Sequence, residues 1–241
     1  MQSSEIKVLV ACEESQAVCK AFRERGFEAY SCDIQECSGG HPEWHICGDA
    51  LKAMMGGQIV TQDGKEHFVD KWDLMIAHPP CTYLSNVSTK HFSLRCTSAE
   101  KVVDRWKNRA EAAVFFMYFV LAPIEHIAVE NPVGFMNVAY RKADQIIDPY
   151  MFAESVNDEK NYVTKRTCLW LKKLPPLKRT NDLQKPNNAE LYGRFPSGKA
   201  KTWEDQTHGG KARSKTFPGI GAAMAKQWGD YLLSTSKGDQ A

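Results

Sequence analysis

The sequence predicts an α/β fold built on a doubly wound, mostly parallel sheet. Short, β-branched apolar runs recur from Ile6 to Asn131, as expected for strands that are buried on both faces. Stretches with helical spacing separate several of these runs. Alternation of this kind produces parallel strands that are joined by crossover helices.

The first half of the chain gives three of these strands and a hairpin. IKVLVAC, Ile6 to Cys12, is the first strand, and the helical stretch ESQAVCKAFRERG follows it and ends at Gly26. FEAYSCD, residues 27–33, is the second strand, and a third short element ends at Gly48-Asp49. QIVTQDGKEHFV, residues 58–69, surrounds a central Asp-Gly and predicts a surface hairpin.

The middle of the chain holds the longest predicted helix. An apolar strand, Leu74 to Ala77, comes before it, followed by a loop over residues 82–97 that has no clear period. SAEKVVDRWKNRAEAAVFFMYFVLAP then begins at a Ser98 cap and ends at Pro123. EHIAVENP is a further buried strand, and it ends on an acid and an amide.

Beyond Val133 the pattern changes. RTCLWLKKLPPLK holds one strand, residues 167–171, and residues 172–214 are rich in Pro, Gly, Asn and Lys. This composition predicts a long irregular arm. FPGIGAAMAKQWGDYLL then forms a closing helix. We therefore divide the chain into a main domain (1–171), a basic irregular arm (172–214) and a C-terminal helix (215–241) that returns to the main domain.

The formal net charge of +2 is unevenly spread along the chain. Residues 160–216 carry 14 Lys and Arg against 4 Asp and Glu, which leaves −8 on the rest. Aromatic residues, among them Tyr192, Phe195 and Trp203, interleave with these cations. A solvated basic surface is one interpretation, but the pattern favours a nucleic-acid interface. The residues expected to contact phosphates are Lys165, Lys199, Lys201, Lys211, Arg213 and Lys215.

Composition also bounds the cellular setting. The longest apolar run, residues 112–124, is too short to span a bilayer, and the N-terminus shows no signal region. The eight cysteines are irregularly spaced in a chain of 241 residues, so disulfides are not expected. We expect a cytoplasmic protein without a membrane partner.

A group of potential metal ligands lies early in the chain. Cys32, Cys37, His41, His45 and Cys47 fall close together, and four of them could surround a zinc ion. They include no tight C-x-x-C pair. Ordinary loop residues are therefore the favoured interpretation, and we predict no metal.

Several chemically active side chains stand at predicted strand ends. Asp33, Asp49, Cys81 and Glu130 all occupy such positions, and ligands of doubly wound sheets bind beyond the carboxyl ends of the strands. Cys81 follows Pro-Pro at a strand tip, where a thiolate favoured by nearby positive charge could attack an electrophilic carbon. Glu130 could donate or share a proton. One crossover separates the two residues, so they can lie on neighbouring strands.

These motifs carry a family resemblance. DLMIAHPPCTYLS resembles the Pro-Cys motif of the cytosine-C5 methyltransferases, and AVENPVG resembles their Glu-Asn motif. TKRTCLWL is more loosely similar to their arginine-bearing strand, and TFPGIGAAMAKQWGDYL to their C-terminal helix. The likeness covers nearly the whole chain and is closest to small methyltransferase-like proteins of phage and bacterial genomes. It implies a Rossmann-like methyltransferase fold in a bacterial or phage-infected cell.

The resemblance implies a covalent mechanism on a cytosine flipped out of DNA. The Cys81 thiolate would add to carbon 6, and Glu130 would hydrogen-bond or protonate the ring nitrogen beside the amino group. Carbon 5 would then take a methyl group from S-adenosylmethionine. Asn131 would hold the Glu130 loop, Arg166 would position the base or the thiolate, and Pro80 would fix the backbone before the nucleophile.

The resemblance also implies a site for S-adenosylmethionine. Asp33 would bind the ribose hydroxyls, Asp49 the adenine amino group, and the residues after the first strand the methionine portion. The family's Gly-rich first motif is here ACEESQA, without glycine, and Glu13 and Glu14 could bind the cationic amino group instead. The implied cofactor set is Glu13, Glu14, Ser15, Asp33, Asp49, Gly219 and Gly221.

Three alternatives remain beside DNA cytosine methylation. Only residues 172–214 stand where the family has its target-recognition domain, which favours relaxed specificity or a substrate other than duplex DNA. A related pyrimidine C5-transferase could act on a free nucleotide or RNA, or use another one-carbon donor. HPPC also faintly resembles the motif of the amino-group methyltransferases. The altered first motif is compatible with a non-catalytic nucleic-acid-binding relic.

Overall fold

The computed structural model describes residues 2–238, with residues 210–211 and 236–238 described by their backbone alone. Helices flank both faces of a seven-stranded, mostly parallel sheet. The strands are β1 (Lys7–Ala11), β2 (Glu28–Asp33), β3 (His45–Cys47), β4 (Gly57–Val60), β5 (Glu66–Val69), β6 (Leu74–Ala77), β7 (His126–Pro132), β8 (Gln145–Ile147) and β9 (Thr167–Lys172). The helices are α1 (Ala17–Glu24), α2 (Ala50–Ala53), α3 (Ala99–Val120), α4 (Met136–Ala139), α5 (Asn188–Tyr192), α6 (Trp203–Gln206), α7 (Gly210–Ser214) and α8 (Pro218–Gly238).

The order of the strands sets the position of the site. The sheet runs β3-β2-β1-β6-β7-β9-β8, while β4 and β5 form a separate antiparallel hairpin. From β1 the chain winds outward through β2 and β3, and it then returns to the other side of β1 with β6. The strand order therefore reverses between β1 and β6. The carboxyl ends of these two strands form the topological switch point, where ligands of such sheets bind.

The core lies on both faces of this sheet. Val8 and Val10 of β1 face a cluster that includes Trp228 of α8, whereas Leu9 faces a second cluster that includes Phe116 of α3. Successive side chains of a strand point to opposite faces. The uninterrupted apolar runs in the sequence therefore reflect burial on both sides.

Most of the predicted elements are confirmed, including the hairpin and the long helix. Ser98 caps α3 by accepting a hydrogen bond from the Lys101 backbone N–H at 3.5 Å. The strand predicted at residues 167–171 is confirmed as β9, and the structure adds β8, which the sequence did not predict. β8 has three residues and lies at the sheet edge. A strand of this length is too short to give a periodic signal in the sequence.

The basic segment, residues 172–214, is only partly irregular. It contains the short helices α5, α6 and α7, and its beginning packs into the core through Leu174 and Leu177. Across the described residues, we find no helix with the length and apolar character needed to cross a membrane.

Candidate active site

Cys81 leaves the sheet at the switch point because two prolines end the strand. The His78 backbone N–H still donates to the Ala11 carbonyl oxygen of β1 at 2.9 Å, but Pro79 and Pro80 have no N–H to continue the ladder. The backbone N–H groups of Leu84 and Ser85 both donate to the Cys81 carbonyl oxygen at 3.0 Å. The thiol is therefore carried on an ordered turn, and Cys81 is half-buried.

Glu130 lies beside this turn on the neighbouring strand. β6 and β7 are parallel with Ala77 opposite Val129, so His78, the first residue after β6, comes next to Glu130, which still pairs with Leu169 of β9. Nδ1 of His78 lies 3.1 Å from Oε2 of Glu130. The expected juxtaposition of the acid with the Cys81 loop is thus present, and a histidine that sequence reasoning did not single out is part of it.

Asn131 fastens the two strand ends together. Its Nδ2 donates to the Pro79 carbonyl oxygen at 2.8 Å, and the side chain is buried. The prediction that Asn131 holds the Glu130 loop is therefore refined, because its amide grips the Pro-Pro turn that presents Cys81. A substitution at this position would act on the nucleophile loop.

Gly134 makes a second link between the loops that follow Cys81 and Glu130. It forms a β-bridge with Ser85, in which the Phe135 backbone N–H donates to the Leu84 carbonyl oxygen at 2.7 Å. A Cβ atom on Gly134 would overlap the Leu84 carbonyl oxygen. Glycine therefore permits a backbone approach that a side chain would prevent.

Arg109 of α3 contacts both the loop that follows Cys81 and the loop that follows Glu130. Its Nε donates to the Tyr83 carbonyl oxygen at 2.9 Å, and its guanidinium lies over the rings of Phe92 and Phe135. The arginine is nearly fully buried. Nothing in the helical pattern of α3 distinguished it from an exposed arginine, so the sequence did not reveal this role.

The charges around Cys81 oppose one another. Burial and the charge of Glu130 raise the pKa of the Cys81 thiol, against the opposing influence of Lys165 and Arg213. The expectation that nearby positive charge favours the thiolate is therefore met only in part. In the protein alone, the protonated thiol prevails at neutral pH.

His78 and Glu130 stabilise each other's charged forms. Burial opposes protonation of His78, but the hydrogen bond and charge of Glu130, together with the charge of Glu13, outweigh it and raise the pKa of the imidazole. Burial likewise favours neutral Glu130, but His78 and, more weakly, Lys165 lower the pKa of this carboxyl.

Lys165 supplies a cation at this site. β9 runs antiparallel to β7 with Thr167 opposite Pro132, so residues just before β9 lie beside the end of β7. The charge of Lys165 lowers the pKa of the Cys81 thiol, and the neighbouring Arg166 is exposed. That Arg166 positions the base or the thiolate stays a prediction.

The ammonium group of Lys165 is held by the basic segment and by the start of the last helix. Its Nζ donates to the Arg213 carbonyl oxygen at 2.7 Å. The same atom lies 5.3 Å from the Trp203 ring centroid and 5.6 Å from that of Phe217, both within cation–π range. Lys165 thus connects the reactive thiol to the surface that the sequence predicts for nucleic acid.

The loop after β1 adopts left-handed turns without glycine. Cys12 has a φ of 60° and Gln16 a φ of 58°, and each costs on the order of 1–2 kcal/mol for a residue with a side chain. Gln16 is fully buried, and its side-chain amide exchanges hydrogen bonds of 2.8 and 3.1 Å with the backbone of His41. Side-chain anchoring therefore holds these left-handed turns without glycine.

Glu13 has a structural role. Its two carboxylate oxygens accept hydrogen bonds from the backbone N–H groups of Val18 and Cys19 at 2.7 and 3.2 Å, which caps α1. That Glu13 also binds the amino group of a cofactor stays a prediction. Glu14 is buried and Ser15 half-buried in the same loop.

Asp33 and Asp49 converge on Cys12 beyond the ends of β1, β2 and β3. Burial raises the pKa of the Cys12 thiol, and the charges of both aspartates raise it further. Oδ1 of Asp33 accepts from the Gln35 N–H, and Oδ1 of Asp49 accepts from the Leu51 N–H, each at 2.9 Å. The second bond caps α2, so Asp49 also has a structural role.

Ile34 offers apolar surface next to Asp33. It is 82% exposed, which is unusual for an isoleucine that directly follows a buried strand. The exposure of this side chain was not evident from the sequence.

Gly219 and Gly221 contact protein backbone. Gly219 donates to Oδ1 of Asn161 at 2.8 Å, and a Cβ atom there would overlap the Phe152 carbonyl oxygen. A Cβ atom on Gly221 would lie 3.1 Å from the carbonyl oxygen of Ala17, the first residue of α1. Close packing of α8 therefore gives both glycines a structural reason, and their predicted contact with a cofactor stays a prediction.

The residues predicted to contact phosphates have different surroundings in the structure. Lys165 and Arg213 lie near the thiol, and Nζ of Lys215 lies 3.2 Å from Oγ of Ser38. Lys201 stacks near Phe195 and Lys199 is exposed. The side chain of Lys211 lies outside the described residues.

The group considered for zinc does not form a metal centre. His45 is buried, with Nδ1 2.9 Å from Oγ of Ser31 and Nε2 2.8 Å from the Gln35 carbonyl oxygen. His41 stacks on Trp44. In the part of the chain that the structure describes, no three His, Cys, Asp or Glu side chains are arranged to hold a metal ion.

Comparison with known families and with curated proteins gives no match.

Proposed function

We propose that the protein transfers a methyl group from S-adenosylmethionine to carbon 5 of cytosine in DNA through a covalent Cys81 adduct. The observation that carries this proposal is the meeting of a turn-borne thiol, an acid and a cation at the switch point. Cys81, Glu130 and Lys165 come from three different strand ends and act on one another electrostatically. Each has a role in adding a thiolate to a pyrimidine ring.

Cys81 is the nucleophile in this mechanism. The thiol first gives its proton to water, and the sulfur then forms a bond to carbon 6 while the ring π electrons move toward the nitrogen beside the amino group, where Glu130 supplies a proton. Carbon 5 gains nucleophilic character and takes the methyl group. Water then takes the carbon-5 proton, the electrons of that carbon–hydrogen bond restore the double bond as the sulfur–carbon bond breaks, and the ring nitrogen returns its proton to Glu130. Lys165 and Arg213 stabilise the thiolate, which burial and Glu130 oppose in the protein alone.

The residues beyond β1, β2 and β3 fit S-adenosylmethionine. When bound, this group supplies an electrophilic methyl. Asp33 is fixed through Oδ1, so its other oxygen can accept from a ribose hydroxyl, while Ile34 presents apolar surface to a purine. Asp49 can accept from an amino group. The anchored left-handed turns of Cys12 and Gln16 support the same assignment, since such strain clusters at ligand sites.

DNA is the proposed substrate because the cations border the thiol. Arg213 acts electrostatically on the thiol and Lys215 lies two residues further along the chain, so both would be able to contact phosphates near the target. A cytosine in a duplex must leave the stack to reach Cys81. Lys199 and Lys201 extend the basic surface along the segment.

A smaller or single-stranded pyrimidine substrate is the second candidate. Its support is the compactness of the basic segment, whose helices have four or five residues each and whose beginning lies in the core. Such a segment offers little surface to read a groove. A free nucleotide or an RNA would require less protein surface for binding than duplex DNA.

A covalent-trap experiment tests the proposal. Wild type, Cys81→Ala and the matched control Cys96→Ala, an exposed cysteine in the same region, are incubated with S-adenosylmethionine and DNA containing 5-fluorocytosine. Fluorine cannot leave as a proton does, so wild type and Cys96→Ala should form a stable protein–DNA adduct and Cys81→Ala none. Absence of the adduct in wild type would overturn the DNA proposal. An adduct with 5-fluorocytosine RNA or nucleotide alone would establish the second candidate.

A further inference from the structure

His78 stands between the proposed acid and the interior of the protein. It occupies the first position after β6, where the chain has just left the sheet, and its side chain is 7% exposed. On one side Nδ1 lies 3.1 Å from Oε2 of Glu130, whose own side chain is 22% exposed. The histidine is therefore shielded while the carboxyl remains open toward a ligand.

The imidazole is anchored on one side only. Nε2 of His78 is buried and has no hydrogen-bond partner among the described residues. An imidazolium at this place would be paired through Nδ1 and unpaired through Nε2, and an unpaired buried N–H weakens the charged form. Glu130 therefore favours a proton on the imidazole through Nδ1, while the unpaired Nε2 makes this proton easier to release.

The charged groups facing His78 come from three elements. Glu130 at the end of β7 and Glu13 in the loop after β1 favour protonation, whereas Lys165 before β9 opposes it. Against the effect of burial, these groups raise the pKa of His78, while His78 and Lys165 lower the pKa of Glu130, so the proton of the pair favours the imidazole.

We propose that His78 stores the proton that Glu130 delivers to the substrate ring nitrogen, so that the working acid is the His78–Glu130 pair. This inference rests on the proposed function and adds a residue to it. As sulfur bonds to carbon 6, a proton passes from Glu130 to the ring nitrogen and Nδ1 of His78 gives its proton to the carboxylate. When the ring is restored, the proton returns along the same path, so the pair ends as it began.

The first test is the pH dependence of adduct formation with 5-fluorocytosine DNA. His78→Asn places an amide near the position of Nδ1, which can still donate to Glu130 but carries no proton to release. His126→Asn is the matched control, because this half-buried histidine lies at the opposite end of β7. We expect His78→Asn to slow adduct formation by about 100-fold, the usual scale of general acid catalysis.

The shape of the profile distinguishes proton storage from a merely structural role. The rate of adduct formation is divided at each pH by the alkylation rate of Cys81, which removes the rise that the thiolate fraction causes. In wild type this ratio should fall at high pH as the pair loses its proton, and in His78→Asn the fall should move to lower pH while His126→Asn matches wild type. A wild-type adduct with an unmoved profile in His78→Asn would overturn the inference alone. No wild-type adduct at any pH would overturn the proposed function and the inference with it.

A second measurement needs no substrate. In an NMR titration of the free wild-type protein, the His78 imidazole should titrate above its ordinary value of 6.5, and Glu130→Gln should lower the midpoint. A wild-type midpoint below 6.5 would mean that the resting pair holds no proton on His78, and the inference would be wrong.

Discussion

The two loops that meet at the switch point use their polar side chains in opposite ways. Between Cys12 and Gln16, Glu13 caps α1 and the Gln16 amide holds the backbone of His41. Between His78 and Ser85, the thiol of Cys81 stays partly accessible and Nε2 of His78 has no partner among the described residues. In the first loop, these side chains hold the backbone in place through hydrogen bonds. In the second loop, these side chains remain available to a ligand.

The difference separates a loop with a structural role from a loop with a chemical role. A loop whose polar groups are satisfied by the protein is rigid, and it can offer only its shape and backbone to a ligand. A loop with partly satisfied groups retains chemistry, at a cost in stability that its neighbours must offset. We therefore expect substitutions in the first loop to change mainly stability, and those around the second to change mainly reactivity.

The largest effect is expected at Gly134, where the second loop is braced. Gly134→Ala places a methyl group against the Leu84 carbonyl oxygen, and we expect about 3 kcal/mol of lost stability from such overpacking with loss of adduct formation. Urea unfolding and the trap assay measure the two. For stability, Gly48→Ala is the control, because a Cβ atom there meets open space and the backbone has no positive φ. Equal stability of wild type and Gly134→Ala would show that the two loops are not braced by this bridge.

Lys165 should show the next largest effect. Lys165→Met removes a cation that opposes the raised pKa of Cys81, so the pKa should rise further. Since each pKa unit changes the thiolate fraction tenfold, we expect alkylation of Cys81 at pH 8 to slow about 10-fold. The rate is measured by mass spectrometry with iodoacetamide, and it should increase with pH in both proteins.

Arg166→Met is the neighbouring control, and it should leave the alkylation rate of Cys81 within about twofold. If Arg166→Met slowed the reaction as much as Lys165→Met, the assignment of the cation would be wrong.

A substitution in the first loop should give a moderate effect on stability alone. Glu13→Ala removes the cap of α1 and should cost about 1–2 kcal/mol in urea unfolding, while adduct formation at saturating cofactor changes little. Glu24→Ala at the other end of α1 is exposed and should be near neutral. Complete loss of the adduct in a folded Glu13→Ala protein would contradict a structural role.

The smallest expected effect is the pH dependence of stability from the His78–Glu130 pair. The raised pKa of His78 contributes stability that is complete below pH 6.5 and is lost as pH rises through the raised value. The lowered pKa of Glu130 contributes stability that is present above pH 4.5 and is lost as pH falls through the lowered value. Wild type should therefore exceed Glu130→Gln by about 1 kcal/mol between these limits.

Urea unfolding of both proteins from pH 4 to pH 9 measures this difference. An excess that stayed constant above pH 6.5 would show that His78 does not titrate with the fold.

The strand-end residues were predictable because they follow apolar runs. Cys81 and Glu130 come directly after such runs, and parallel strands bring their carboxyl ends to one edge of the sheet. Asp33 and Asp49 were located in the same way. None of these predictions required knowledge of a long-range contact.

Other parts of the site were beyond the sequence. The roles of Lys165 and Arg166 depend on the antiparallel direction of β9, and an apolar run does not reveal direction. The partners of Glu13, Gly219 and Gly221 depend on how closely α1 and α8 approach the sheet and the neighbouring segments. Residue type alone could not separate these packing roles from ligand binding.

The sequence by itself determined the α/β class, the order of most strands and helices, and the placement of a cysteine and three acids at strand ends, because periodicity and proline are local signals. Only the tertiary structure decided which cation faces the thiol, that His78 pairs with Glu130, and that the glycine-free loop takes left-handed turns. Those features depend on atoms brought together across the sheet from distant parts of the chain. Their free energies come from burial and charge, which a linear pattern does not record.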